Sequence, residues 1–269
     1  MKSYLAVLGY EMRRSLTASR MMWWIVLASL PVIVTALLRF GTDLDKLVAR
    51  GQIAPEALDT TWSVLFYVIV VCVCCCLGVF LNTAPAVAAE LEQHSWVYMA
   101  TRPNGIRCLL LGKYTVGVLW AVTAGFTGLT AGALLSNAPS SMTILKALLP
   151  LCLFSTLCYG AIYLMIGTVM PKRAMVLSVG YTVLVEIILG MIPAVVNRLT
   201  IQYRLRSLFV QWAPVEVKLQ EGALFRHVFD DTSALSHLVW LLGLLLCFLT
   251  AAQAIAHLRE FTQASEGDV

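Results

Sequence analysis

Charge is what this chain has least of. Asp, Glu, Lys and Arg make up 13% of its 269 residues, where a soluble globular domain carries about 25%. So thin a supply cannot cover a water-facing surface of this length. The charges present are clustered, which leaves long stretches with none. The net charge of +4 is too small to mark a nucleic-acid partner. Residues 1–20 lack the short apolar core and small-residue cleavage site of a secretory signal. The alternation of membrane β-strands is missing as well. No Ser/His/Asp set, His-Glu-x-x-His run or paired carboxylate falls at membrane depth, so an intramembrane hydrolase has no support. A P-loop is also lacking. In Gly105…Gly112-Lys113-Tyr114 six residues separate the glycines instead of four, and Tyr114 replaces the hydroxyl residue that would hold magnesium. The expectation is a chain that is not an enzyme and holds no cofactor or metal of its own.

What the chain does have is apolar sequence, 59% of it. A helix needs roughly 20 mostly apolar residues to cross a hydrocarbon core about 30 Å thick. Six segments qualify: Met21–Leu38, Trp62–Leu81, Leu109–Leu135, Ile144–Met170, Ala174–Val196 and Leu235–Ala256. Backbone polar groups in lipid must bond internally, which favours helices. The expected fold class is an all-α membrane protein with six transmembrane helices. Ahead of them, Leu5, Leu8, Met12 and Leu16 fall on one helix face, with Lys2, Arg13, Arg14 and Arg20 elsewhere. Residues 1–20 therefore read as an amphipathic helix lying in the membrane interface. Residues 21–257 form the transmembrane domain, and 258–269 a polar tail.

Basic residues near helix ends divide almost evenly between the two faces. The nine on the side of Arg39 share their loops with eight acids, while the Pro171-Lys172-Arg173 turn has none. That places both termini in the cytoplasm. In the outer segment, 197–234, Leu205, Leu208, Phe209 and Trp212 follow helical spacing before Pro214 interrupts. One or two short helices resting on the outer membrane surface are expected there. In the third span Ala121, Gly125, Gly128 and Gly132 lie four, three and four residues apart, a seam of small residues that lets helix backbones approach closely.

The cytoplasmic segment 86–108 is the most informative. It carries Glu90, Glu92, His94, Trp96, Tyr98, Thr101, Arg102, Pro103 and Arg107, with Lys113 just beyond. Residues 86–100 can be helical, and Pro103, Asn104 and Gly105 suit positions i+1 to i+3 of a type I turn. Two short elements with fixed charges thus project from the inner face, as a docking surface needs. Glu-x-Glu, an aromatic-rich helix, Thr-Arg-Pro, a basic residue and Leu-Leu-Gly-Lys resemble the first cytoplasmic loop of ABC-2-type permeases, the membrane subunits of ABC transporters. The match rests on Glu90, Glu92, Trp96, Thr101, Pro103, Arg107, Leu111, Gly112 and Lys113, and the resemblance extends to the whole plan of spans. It implies a coupling helix around Glu90–Thr101 seated on an ATPase subunit. It also implies two permeases, identical or related, above two ATPases that bind ATP and magnesium, and export across the cell membrane. The alternative is a secondary transporter or a metal (copper) carrier working without an ATPase.

Two features stay open. Cys72, Cys74, Cys75 and Cys76 sit mid-membrane, either as small packing residues or as soft ligands for Cu(I). Glu186 is the one acid inside a span, where a charge costs roughly 2.5–3.5 kcal/mol on insertion scales. It either lines a translocation path or is bonded internally and structural.

Overall fold

The computed structural model describes residues 2–41, 54–96, 98, 101–102, 104–190, 197, 199–214 and 232–258. Among them no strand occurs, and they are helical nearly throughout. Helix α1 is Lys2–Ser15 and α2 is Ala18–Gly41. Helix α3, Pro55–Phe66, runs through a π-helical stretch, Tyr67–Cys74, into α4, Cys75–Thr83. The short α5, Ala86–Glu92, leads to α6, Gly105–Ser136, and α7, Ser141–Val169. A single 3-10 turn at Pro171–Arg173 precedes α8, Ala174–Tyr181, and a second π-helical stretch, Thr182–Leu189. Then come α9, Ile201–Trp212, and α10, Ala234–Leu258.

Among the described residues five helices are long and apolar enough to cross a membrane: α2, the run 56–92, α6, α7 and α10. The fifth expected span, Ala174–Val196, is described as helix over Ala174–Leu189, and residues 191–196 lie outside the described set. The run 56–92 holds 37 residues, about 55 Å of helix, well over the thickness of a hydrocarbon core. Its two ends therefore stand clear of any bilayer it crosses. The second span also begins earlier than expected: Pro55–Thr61 is helical, with Pro55 at the first helical position, where its missing N–H costs nothing.

Helix α7 is the central rod. Of its most apolar 18 residues 61% is buried, against 22% for α2 and 17% for α10. The outward apolar side chains of the peripheral helices, such as Ile33, Leu37, Val239 and Leu246, suit a lipid surround. Polar contacts tie the helix ends. Asp59 accepts the Ser140 N–H at 3.1 Å, at the start of α7. Arg39 donates to the Leu135 carbonyl at 2.6 Å, at the end of α6, where a cation also meets the negative end of the helix dipole.

The small-residue seam of α6 faces α2 and the second span. A Cβ added at Gly125 would meet Cys75 Sγ at 2.9 Å, and one at Gly132 would meet Phe66 at 2.9 Å. Gly128 is tightest against backbone, 2.8 Å from the Ala28 carbonyl oxygen, and Ala121 already touches the Gly78 position. Gly128→Val should therefore wedge α2 from α6 and cost about 1–3 kcal/mol by overpacking. Gly243→Ala, with nothing within 4 Å, should be neutral. Thermal unfolding of the two variants in detergent separates them, and equal midpoints would contradict the packing described.

Candidate functional site

Four charged side chains meet where α1, α5 and α6 come together. Lys113 Nζ lies 2.8 Å from Glu90 Oε1 and 3.3 Å from Glu11 Oε2. Arg14 lies 2.8 Å from Glu90 and 3.7 Å from Glu11. Glu11, Glu90 and Lys113 expose 5%, 2% and 9% of their side chains. Two cations and two carboxylates sum to zero, which is what burial of charge demands. Ser95 adds a hydroxyl donor to Glu90, and Arg14 donates to Gln93. Burial alone would lower the Arg14 guanidinium. The carboxylates of Glu90 and Glu11 beside it outweigh that, and the net shift is upward.

The cluster also explains how α1 lies. Tyr4 and Thr115 share a hydrogen bond of 2.8 Å, and Trp120 donates to Ser15 Oγ at 2.9 Å. The polar side of α1 is thus turned into the protein, and Leu5, Met12 and Leu16 are left outward.

The expected coupling residues separate into two groups. Glu90, Trp96 and Lys113 face inward. Glu92, His94, Tyr98, Thr101, Arg102 and Arg107 are exposed, Tyr98 by 74%. Pro103 lies outside the described residues. The helix expected over 86–100 is interrupted: α5 ends at Glu92, His94 turns left-handed at φ 55°, and Trp96 and Tyr98 are again helical. Gly105 N–H closes a turn on the Arg102 carbonyl at 3.0 Å. Asn104 sits there at φ 58°, the third-position conformation of a type II turn rather than type I. Asn tolerates it because its short polar side chain reduces the left-handed penalty. Arg107 reaches across to His257 at 3.3 Å. Between α5 and the Pro171–Arg173 turn a groove of about 460 Å³ opens, with Glu92, His94, Lys172 and Arg173 on its rim.

A second polar centre lies inside the bundle, around Glu186, which is 3% exposed. Its carboxylate accepts the Tyr181 hydroxyl at 2.7 Å, the Tyr159 hydroxyl at 3.1 Å, and the Ile201 and Gln202 N–H groups at 3.3 and 2.9 Å. These four donors fill the acceptor capacity of a carboxylate. The Thr200 N–H bonds to the Asn197 carbonyl, and the Tyr203 N–H to Thr200 Oγ1. All four donors that a helix start leaves unpaired are thereby satisfied in α9, and the negative charge sits at the positive end of its dipole. Both π-helical stretches converge here. One carries Glu186; the other carries Tyr67, which donates to Gln202 Oε1 at 3.0 Å and stacks on Phe209. Within the chain, Glu186 is bonded on every side.

This also corrects the expected setting of the outer helix. Leu205, Leu208 and Phe209 pack inward against α7 and α10, and α9 is seated in the bundle rather than resting on a membrane surface. Buried Arg204 lies 3.2 Å from His237 Nδ1 and stacks near Tyr203 and Trp240. Residues 215–231, in the rest of the outer segment, lie outside the described set.

The eight cysteines are free thiols. Cys76 is 2.8 Å from the Tyr163 hydroxyl, which in turn is 2.7 Å from Thr182. Among the described residues no group of three or more His, Cys, Asp or Glu is placed to hold a metal.

Sequence reasoning passed over Glu11, Ser95, Tyr159, Tyr181 and Gln202. Glu11 did leave a signal: it is the only acid in residues 1–41. The donors to Glu186 left none, since isolated tyrosines in apolar spans read as core. No protein-family model, curated protein or solved structure matches this chain.

Two variants test these centres. Glu90→Gln leaves buried Lys113 and half-buried Arg14 facing one carboxylate and should cost on the order of 3 kcal/mol. Glu92→Gln, at an exposed position, should stay within about 0.5 kcal/mol. Equal unfolding midpoints would refute the ion cluster. Glu186→Gln keeps one acceptor oxygen and orphans at least one amide of α9, at about 1–3 kcal/mol. Hydrogen exchange at Ile201 and Gln202 should then quicken, and unchanged protection would show that the cap is not holding α9.

Proposed function

We propose that this chain is the membrane-spanning permease subunit of an ABC-2-type transporter and that it docks on a separate ATPase at the inner leaflet. In this reading both termini and α5 lie on the cytoplasmic side of the cell membrane. Two ATPases sit beneath a pair of permeases, and their ATP turnover drives export of a substrate. The resemblance of segment 86–113 to the first cytoplasmic loop of that family supplies the class. The observation that carries it is the ion cluster. Glu90, on the segment that leaves the second span, is bonded at once to Arg14 on α1 and Lys113 on α6. A push on α5 is therefore delivered to the N-terminal helix and to a membrane-spanning helix through short, charge-assisted contacts. The exposed residues Glu92, Tyr98 and Arg102 on the same segment offer the surface to be pushed.

The division of labour predicts separable phenotypes. With the ATPase encoded nearest to this chain co-expressed, Glu92→Lys combined with Tyr98→Ala should weaken co-purification by about ten-fold, as loss of an exposed anchor does. Glu90→Gln should still co-purify yet no longer stimulate ATP turnover on reconstitution. Failure to associate with any ATPase, together with gradient-driven transport by this chain alone, would instead establish the secondary-transporter reading.

A further inference from the structure

A cleft of about 250 Å³ opens between the start of α2 and the facing parts of α4 and α6. Its walls are aromatic: Trp23, Trp24 and Trp120. Two of these indoles are held in place, Trp24 by Thr123 at 3.1 Å and Trp120 by Ser15 at 2.9 Å. Its polar end carries Arg20 and Asn82, and Leu27 lies on its apolar floor. Asn82 spends its amide N–H on the Gly78 carbonyl.

Arg20 is the unusual member. Among the described residues its guanidinium makes no ion pair within 4 Å and no side-chain hydrogen bond. The neighbouring Glu11, Glu90, Arg14 and Lys113 already neutralise one another. Arg20 lines a small adjoining cavity together with Glu11 and Lys113, so it adds one uncompensated positive charge beside a neutral cluster. A planar fork of donors with no partner suits a phosphate, which it can bind through two parallel hydrogen bonds. Tryptophan-rich walls mark the depth at which lipid headgroups meet chains. The apolar floor leads away from the charge along membrane-spanning helices, as the chains of a lipid would.

We propose that this cleft is a binding site for an anionic phospholipid, its phosphate on Arg20 and its glycerol and upper chains between Trp23, Trp24 and Trp120. The site is independent of whether the chain works with an ATPase. A lipid seated here fills the gap between α2 and the rest of the bundle, beside the buried contacts of α1.

The test reads tryptophan quenching in phosphatidylcholine nanodiscs containing brominated phosphatidylglycerol or brominated phosphatidylcholine. The phosphatidylglycerol should be preferred about five-fold, the effect of one basic side chain toward an anionic lipid. Arg20→Gln should bring the preference to parity, while Arg13→Gln, an exposed change on α1 outside the cleft, should leave it intact. Arg20→Lys keeps the charge without the fork and should retain only about half of the preference; it also serves if Arg20→Gln fails to fold. No preference in the parent chain, a preference untouched by either Arg20 change, or equal loss with Arg13→Gln would overturn the site. Abolition of the preference by millimolar inorganic phosphate would also overturn it, by naming a free anion as the ligand.

Discussion

A carboxylate taken out of water has to be held by something, and in this protein two of them organise what surrounds them. Glu90 is held by Arg14 and Lys113, and that requirement draws α1 and α6 onto the segment leaving the second span. Glu186 is held by two tyrosine hydroxyls and two backbone amides, which seats the start of α9 in the bundle. The energetic logic is asymmetric. An intact buried cluster stabilises little beyond an apolar replacement, but removal of one member leaves a charge stranded. Such clusters therefore specify an arrangement more than they strengthen it.

The two centres differ in place and in kind: Glu90 follows the second span, while Glu186 sits within the bundle beside the middle of α7. At Glu90, charges of both signs come from separate helices, so the contact can transmit displacement between them. At Glu186, one charge meets neutral donors and a helix start, and the result is a cap. The two π-helical stretches belong with the second centre, because a widened turn lets Tyr67 and Glu186 both reach the start of α9. Along α6, close packing takes over: glycines lie against Ala28, Cys75 and Phe66 with no room for a side chain.

Much of this was legible before the structure. Hydropathy located four of the expected spans to within about four residues, because the need to satisfy backbone hydrogen bonds in lipid leaves one solution for a long apolar run; the second proved longer, and the fifth is described only over Ala174–Leu189. The seam at Gly125, Gly128 and Gly132 could be read from spacing alone. The loop carrying Glu90, Glu92 and the Asn104 turn was recognisable as a surface element with fixed charges. Its turn type was misjudged, because the left-handed state of Asn104 depends on how α6 starts. The inward turn of Glu90 and the seating of α9 could not be read, since each depends on partners 76 or 15 to 16 positions away.

By itself, then, the chain's order of residues determined helical content, the segments that can span a membrane, and which helix presents a narrow face, because those follow from local periodicity and side-chain size. Only the tertiary structure decided which charges meet. Pairing of Glu11, Arg14, Glu90 and Lys113, and capping of α9 by Glu186, are long-range choices imposed by a low-dielectric interior. Such an interior makes an unpaired charge costly without dictating from how far along the chain its partner will come.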